Sequence, residues 1–391
     1  MARIFGLQKN VFFLGVTSFL NDLSSEMVLS VLPAFFISVL KTGAGALGFV
    51  EGAADAMANL IKIYSGKHSD KLSQRKIFTV IGYVVSVSTR PFYSFAGSVA
   101  HVGFLRVTDR FGKGLRDSPR DALISLSVDK SEIGWSFGYH RAMDTLGGVL
   151  GPLIAYLILA AYPGSFSSVF MVSFVIGLLA VFSLLWVKDV SALMERKVHH
   201  GGQVLSPRIR DYIISLFILS IGTLPVAVVL FKTVELGFPI ETIPLFYMAY
   251  SLSFSMFSWP AGRMIDVIGS GRVIVTGYLM LIVAYALISI ATNHYMLIVG
   301  LVILGIFSAC TDGAQRSHIS KHVGVDHRGV AFGYLYTAIG FGALIGGVMG
   351  GYIWEQWGSS AALVMEVCIT CFGLVAFMYA LRTHHREKHS V

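Results

Sequence analysis

The chain has 391 residues, of which 55% are hydrophobic and only 13% are charged. A soluble protein carries about 25% charged residues, so this composition excludes an ordinary soluble fold. The formal net charge of +8 comes mostly from basic residues that lie between apolar stretches. We attribute that charge to membrane topology and expect no nucleic-acid partner.

Apolar stretches close to 20 residues recur along the whole chain. Each is long enough to cross a hydrocarbon core of about 30 Å as a helix. The predicted segments, numbered 1 to 12 in chain order, are 11–39, 44–65, 77–97, 100–117, 135–161, 167–187, 211–233, 240–261, 273–292, 295–314, 330–353 and 360–381. The expected fold class is an all-α integral membrane protein with twelve transmembrane helices.

Lysine and arginine are concentrated in every second connection between these segments. That set includes Lys67, Lys71, Arg75, Lys76, Arg116, Arg120, Lys130, Arg196, Lys197, Arg208, Arg263, Arg272, Arg316, Lys321 and Arg328. The opposite connections hold little beyond Lys41 and Lys232. Because basic loops stay in the cytoplasm, both termini are expected there, in a multi-pass protein of a bacterial-type inner membrane.

Two short motifs occur once in each half of the chain. Gly66-Lys67-His68-Ser69-Asp70 returns as Gly262-Arg263-Met264-Ile265-Asp266 at an offset of 196 residues. Gly134–Tyr139 returns as Gly329–Tyr334 at an offset of 195. Many carriers use a duplicated bundle to build two gates around one site. The predicted domains are pseudo-symmetric six-helix bundles at 1–188 and 211–391, joined by a polar cytoplasmic linker at 189–210.

The first of these motifs resembles the signature of the major facilitator superfamily between segments 2 and 3. It reads Gly66-x-x-x-Asp70-Lys71-x-x-x-Arg75-Lys76, with Ser73 where a second glycine is usual. The second copy, Gly262-x-x-x-Asp266-x-x-Gly269, keeps that glycine and lacks the basic residue after the aspartate. The resemblance implies two bundles that rock about a central solute site in a cycle of alternating access.

Three further motifs carry the same resemblance. Gly147-x-x-x-Gly151-Pro152 in segment 5 resembles the superfamily's antiporter motif, without the usual glycine pair after the proline. Two others resemble one bacterial subgroup: Leu23-Ser24-Ser25-Glu26-Met27, and Asp109-Arg110-x-Gly112-Lys113-Gly114-x-Arg116-x-x-Pro119-Arg120-Asp121.

A gating role is expected for the glycines, acids and arginine of the repeated motif. Glycine permits close helix approach, and a carboxylate beside a helix N-terminus interacts with its unsatisfied N–H groups. Asp70 would cap segment 11 near 326–329, and Asp266 would cap segment 5 near 131–134. Each contact is worth about 0.3–2 kcal/mol, which suits a latch that opens in every cycle. An ordinary exposed turn is the alternative. The gating residues are Gly66, Asp70, Arg75, Gly262 and Asp266.

Ionisable residues are unusually frequent inside the apolar segments of the first half. A lone charge at the bilayer centre costs about 2.5–3.5 kcal/mol on insertion scales, so these side chains must face one another or a water-filled cavity. Structural ion pairing is the alternative to a functional role. On single helix faces lie Asp22 with Glu26, Glu51 with Asp55, the stripe Arg106, Asp109, Arg110 and Lys113, and the cluster His140, Arg141 and Asp144.

We assign these side chains to proton coupling and solute binding. A buried carboxylate can change charge during a cycle, and guanidinium groups match anionic oxygens. The second half has few charges and would supply shape through aromatic rings. The expected coupling residues are Asp22, Glu26, Glu51, Asp55 and Asp144. The expected solute-binding residues are Arg106, Asp109, Arg110, Tyr139, His140, Arg141, Tyr250 and Tyr334.

The sequence therefore predicts a proton-coupled carrier for a small anionic or oxygenated solute, such as a carboxylate metabolite or a siderophore. Proton-antiport efflux of amphipathic drugs or lipids is the first alternative, and a non-transporting membrane sensor is the second. We expect no enzyme, because there is no Ser-His-Asp arrangement, metal-ligand spacing or nucleotide loop. No cofactor or metal is expected beyond the proton gradient. Sodium coupling stays open, since Asn21, Asp22 and Ser25 offer oxygen ligands. The expected partners are the solute and the lipid bilayer, and the monomer should suffice.

Overall fold

The computed structural model describes residues 3–72, 74–129, 132–190, 206–324 and 328–387. The chain starts with an antiparallel hairpin in which β1 (Arg3–Ile4) pairs with β2 (Leu7–Gln8). The other regular elements of these ranges are helical.

Six long helices form the first half, one for each predicted segment. Short 3₁₀ turns at Arg90–Phe95 and Leu184–Trp186 follow the third and the sixth. The helices are α1 (Lys9–Ser38), α2 (Ala44–Leu72), α3 (Arg75–Thr89), α4 (Val99–Leu126), α5 (Ile133–Ala161) and α6 (Phe166–Ser183).

The second half has longer and shorter helices. A 3₁₀ turn at Ile240–Thr242 leads into one of the long helices. The helices are α7 (Pro207–Ile221), α8 (Val226–Val229), α9 (Phe231–Glu235), α10 (Ile243–Ile268), α11 (Ser270–Ser289), α12 (His294–His322) and α13 (Arg328–Glu387). Gly358, at φ 86°, interrupts α13 and separates the parts that correspond to segments 11 and 12.

The prediction of one continuous helix over segment 7 was wrong. The helix ends at Ile221, and the next turn begins only after Pro225. Proline has no N–H to continue the ladder, and the nearby Gly222 disfavours a helix interior. Hydropathy alone did not reveal this break, because the stretch stays apolar throughout.

The repeated motif was also expected in loops, and this was wrong. Gly66–Asp70 lies in the last turns of α2, and Gly262–Asp266 lies in the last turns of α10. Long basic side chains reach water while the backbone continues its helical hydrogen bonds, so a polar sequence does not end a helix. The helix α10 ends where Gly269 takes φ 88°.

Seven helical stretches of the described residues are long and apolar enough to cross a membrane. The helix α4 is not among these seven stretches, because it carries five charged residues from Arg106 to Arg116. The count of twelve transmembrane helices and the cytoplasmic position of the termini stay predictions.

The chain divides into two compact units. The first comprises Met1–Thr42, Ala53–Glu195 and Pro239–Met248, and the second comprises Gly43–Gly52, Arg196–Phe238 and Ala249–Val391. The start of α2 thus belongs to the second unit, and the start of α10 belongs to the first. Of the predicted linker 189–210, residues 191–205 lie outside the described ranges. The predicted domain boundaries stay a prediction.

Candidate functional site

Two glycines of α5 bring this helix against α1 at the acidic residues of the first unit. A Cβ at Gly147 would lie 2.5 Å from the Phe19 carbonyl oxygen, and one at Gly151 would lie 2.5 Å from that of Leu23. The same glycines face the Cβ atoms of Asp22 and Glu26. The antiporter-like spacing therefore has a packing role here, because it places α5 beside both carboxyl-bearing turns of α1.

Glu26 has a hydrogen-bond partner from the start of α10. The hydroxyl of Tyr247 donates to Glu26 Oε2 at 2.6 Å. Both residues belong to the first unit, because this unit includes Pro239–Met248. Tyr247 was not among the predicted site residues, since the sequence placed it with the aromatic residues of the other half.

Asp22 lies where α1, α4 and α5 come together. The side-chain amide of Asn21 donates to Asp22 Oδ1 at 3.2 Å. Lys113 of α4 and Asp144 of α5 are both within electrostatic range of the Asp22 carboxylate. Lys113 and Arg110 are also within range of Glu26. The structure thus brings acids of two helices close to the basic stripe of a third.

The cluster on α5 is only partly turned toward this region. His140 Nδ1 lies 3.5 Å from Asp144 Oδ2, and both side chains are largely buried. Tyr139 instead covers Gly15 of α1, and its hydroxyl donates to the Phe12 carbonyl oxygen at 3.4 Å. Tyr139 therefore packs nearer the start of α1 than the acids do.

Three of the four residues of the α4 stripe take part in two ion pairs, one within α4 and one with α2. Arg106 is 1% exposed, and its Nη1 lies 3.1 Å from Asp109 Oδ2. Arg110 Nε lies 3.6 Å from Asp55 Oδ1, and that carboxylate is 44% exposed. A solute would therefore reach the Arg110 pair more readily than the Arg106 pair, since Arg106 is enclosed within the helix packing.

Sequence reasoning missed Arg90, a buried cation next to this region. Its Nη2 donates to Asn21 Oδ1 at 3.0 Å, and its Nη1 donates to the Ser24 hydroxyl. Gly177 of α6 leaves the space that the guanidinium occupies. The sequence did contain a signal for Arg90, because this residue lies inside predicted segment 3. A basic residue within a membrane-spanning segment is unusual there, as it is in segment 4.

Basic and acidic residues continue along α4 toward its C-terminal end. Lys62 Nζ lies 3.2 Å from Asp117 Oδ2, and Arg120 Nη2 lies 2.9 Å from Asp121 Oδ1. Arg116 donates to Ser86 Oγ at 2.6 Å and covers the ring of Tyr83.

Predicted residues of the second unit have separate surroundings. Glu51 is buried in the part of α2 that belongs to this unit. The Tyr250 hydroxyl donates to Ser308 Oγ at 3.0 Å, and Tyr334 is 57% exposed. The roles assigned to these residues stay predictions.

The two copies of the gating motif differ in packing. A Cβ at Gly66 would lie 2.7 Å from Ser118 Oγ of α4, whereas one at Gly262 would meet no atom within 4 Å. Arg75 is buried at the start of α3. The side chain of Asp70 lies outside the described residues. Asp266 Oδ1 lies 3.6 Å from Lys321 Nζ at an exposed position.

The sequence matches one protein family over nearly its whole length. The model of the Major Facilitator Superfamily matches residues 14–221 and 212–391. The chain belongs to the Major Facilitator Superfamily. It is therefore a multi-pass membrane protein of a transporter family, whereas its likeness to one bacterial subgroup stays a prediction.

Similar proteins extend over nearly the whole chain. An uncharacterized MFS-type transporter of Methanocaldococcus jannaschii is 31% identical over 89% of this chain and 89% of its own length. An uncharacterized protein of Mycobacterium bovis is 23% identical over 94% of this chain and 91% of its own length.

Solved structures have the same fold at low identity. A mutant of the nucleoside transporter NupG gives a TM-score of 0.81 at 15% identity, covering 95% of this chain and 99% of the other. A bacterial homologue of the human lysosomal transporter Spinster gives 0.74 at 13% identity, covering 95% and 96%. At these identities the likeness shows the superfamily fold alone.

Proposed function

We propose that the protein is a proton-coupled secondary carrier of the cell inner membrane that moves a small anionic or oxygenated solute by alternating access. A carboxylate metabolite or a siderophore has this chemistry. One observation carries the proposal: inside the first unit, Asp22, Glu26 and Asp144 each lie within electrostatic range of basic residues of α4. Acids of this kind within membrane helices mark proton and ion pathways in carriers.

Glu26 is the preferred coupling residue among the candidates. It accepts a hydrogen bond from Tyr247, and Asp22, Lys113 and Arg110 lie within electrostatic range. A proton at this carboxyl removes one negative charge from a group that also contains cations, so the attraction for an anionic solute increases. Proton uptake and solute binding would then favour the same state, which is the requirement for coupling.

Arg110 is the preferred solute-binding residue. Its guanidinium pairs with the half-exposed Asp55 at 3.6 Å, which is longer than a tight bidentate contact. An anionic solute can replace Asp55 at little cost. Arg106 is a weaker candidate, because it is enclosed with Asp109.

Transport by purified protein in liposomes tests the proposal. Under an imposed proton gradient, wild-type protein should accumulate an anion from a panel of labelled carboxylates and iron chelates. Glu26→Gln should abolish accumulation and retain exchange across the membrane, because a neutral side chain no longer changes charge. The matched control is Glu355→Gln, which alters an exposed acid of the second unit.

The competing functions predict other results in the same vesicles. Normal accumulation by Glu26→Gln would remove this residue from coupling. Competition by lipophilic cations, with none by anions, would favour drug or lipid efflux. Accumulation driven by sodium alone would identify sodium as the coupling ion, and solute binding without flux would indicate a sensor.

A further inference from the structure

Glu366 is a buried acid in the second unit that the proposed coupling does not use. It lies in the part of α13 after Gly358 and has no measurable exposure. Neither carboxyl oxygen has a hydrogen-bond partner among the described residues. An ionisable group inside a membrane protein without a partner requires a physical explanation, since most such groups are paired.

The carboxyl lies beside the break in segment 7. Gly350 of α13 faces both Glu366 Oε1 and the side chain of Leu224, and a Cβ there would collide with both. One turn further along, Thr370 Oγ1 donates to the Gly222 carbonyl oxygen at 2.9 Å. Glu366 is therefore packed against the non-helical stretch between α7 and α8.

The described residues of the surrounding helices supply no compensating charge to this carboxyl. The titratable neighbour from α11 is Tyr285, which interacts electrostatically with Glu366. The Tyr285 hydroxyl accepts the Leu224 N–H at 2.8 Å, so it is held at the same break. Among the described residues of α7, α8 and the first part of α13, no Lys, Arg, His, Asp or Glu acts on the Glu366 carboxyl.

Burial without a counter-charge favours the neutral acid. Removing an isolated carboxylate from water costs far more than removing a neutral carboxyl, so such a group takes up a proton. We propose that Glu366 is a proton-binding site of the second unit, and that its bound proton keeps the break of segment 7 packed against α13. Loss of the proton would require the carboxylate to reach water. The break and α13 would then have to separate.

This inference does not rest on the coupling role proposed for Glu26. Glu366 and Glu26 belong to different units and are tested by different variants. A failure of Glu26→Gln to change transport would leave the protonation of Glu366 unaffected. Conversely, an ionised Glu366 would leave the proposal for Glu26 in place.

Infrared spectroscopy of the purified protein measures the proton directly. At mildly acidic and neutral pH, wild-type protein should show a protonated carboxyl band that shifts in D₂O. Glu366→Gln should lose the equivalent of one carboxyl from this band, while Glu26→Gln and the exposed control Glu355→Gln should retain that component. An unchanged carboxyl region in Glu366→Gln would overturn the proposal.

Heat stability supplies the second measurement. Glutamine matches a neutral carboxyl in size and does not ionise when the protein unfolds. Glu366→Gln should therefore melt close to wild type at about pH 4, where the unfolded glutamate is also largely protonated, and wild type should lose stability relative to the variant as the pH rises toward neutral. A variant that melts far below wild type at every pH would show that the charge is needed, and would also overturn the proposal. If Glu366→Gln does not fold, the band can be assigned with ¹³C-labelled glutamate in the double variant Glu26→Gln, Glu51→Gln. A spectrum of that protein without a labelled protonated carboxyl would overturn the proposal.

Discussion

At Glu26, a single hydroxyl group joins the acid of α1 to the first turns of α10. The hydrogen bond from Tyr247 measures 2.6 Å, a length that is usual between a hydroxyl and a charged carboxylate oxygen. Tyrosine can donate to either form of the carboxyl, but the bond is stronger when the acceptor is charged. Tyr247 is therefore placed to respond to the charge of Glu26, and we treat it as a positioning residue.

Replacing Tyr247 by phenylalanine should weaken coupling without removing the acid. We expect pH-driven accumulation to fall several-fold while solute exchange persists, because only the hydroxyl is lost. Adding Tyr247→Phe to Glu26→Gln should have little further effect, since two residues that act through one contact are not additive. Accumulation and exchange measured in liposomes for both single variants and the double variant give this comparison.

The control for that cycle is Tyr162→Phe, which removes an exposed hydroxyl of the same unit. It should match wild type in both assays. If Tyr247→Phe instead lowers solute exchange when it is added to Glu26→Gln, Tyr247 acts independently of Glu26 and its assignment is wrong.

At this scale the sequence predicted positions better than partners. Spacing alone placed Asp22 and Glu26 on one face of α1, and it placed the charged stripe on one face of α4. It did not predict that Arg106 pairs with Asp109 three residues later, because Asp109 could equally have faced Arg110 or Lys113. Arg90 and Glu366 also interrupt apolar segments, but each is the single charged residue of its segment, so neither forms the kind of cluster that marked the other candidates.

Between helices, the contacts of glycine distinguish residues that the sequence shows as equivalent. Gly147 and Gly148 are neighbours on α5, yet a Cβ at Gly147 would lie 2.5 Å from a carbonyl oxygen of α1, while one at Gly148 would meet no atom within 4 Å. The first glycine sets the distance between α1 and α5, whereas the second makes no close approach.

These two glycines give a matched pair of variants. Gly147→Ala should destabilise the protein by about 1–3 kcal/mol, because inserting a methyl group forces backbone shifts in close packing. Gly148→Ala should be neutral or stabilise by up to about 1 kcal/mol, since alanine favours a helix. Thermal unfolding in detergent compares them, and equal melting temperatures for the two variants would contradict the proposed contact between α1 and α5.

In α13, two rows of glycine residues allow the helix to pack closely against two different neighbours. The row from Gly342 to Gly350 faces α7 and its break, while Gly347 and Gly351 face the start of α2. Small residues spaced four apart on one helix face allow this close approach, because they place little side chain between the two backbones. The sequence could not predict which helix packs against each row. A spacing of four residues defines a helix face, but it does not identify the helix that covers this face.

The order of long helices was predictable across the whole molecule because hydrophobic length and period set it locally. The sequence did not predict that two short stretches belong to the unit formed mainly by the other half of the chain. Gly43–Gly52 belongs to the second unit and Pro239–Met248 to the first, although both lie within continuous helical regions of the other half. Such assignments depend on contacts between distant parts of the chain, which a single sequence does not define.

We expect the acidic residues of the repeated motif to affect the rate of the full transport cycle. We expect Asp70→Ala to slow turnover by about two- to thirty-fold, the range that a contact of about 0.3–2 kcal/mol at a helix terminus allows. Solute affinity should stay near the wild-type value, because the latch acts on the exchange between states and not on the binding residues. Asp266→Ala should have a smaller effect, since Asp266 pairs with Lys321 at an exposed position where ion pairs contribute little.

Turnover and binding measured separately in liposomes and detergent test this latch. The control is Asp211→Ala, which removes a half-exposed acid whose carboxylate pairs with the adjacent Arg210. Normal turnover combined with a large loss of affinity in Asp70→Ala would contradict the latch, because the residue would then belong to the solute site. A larger defect in Asp266→Ala than in Asp70→Ala would reverse the expected order and make the second copy the dominant gate.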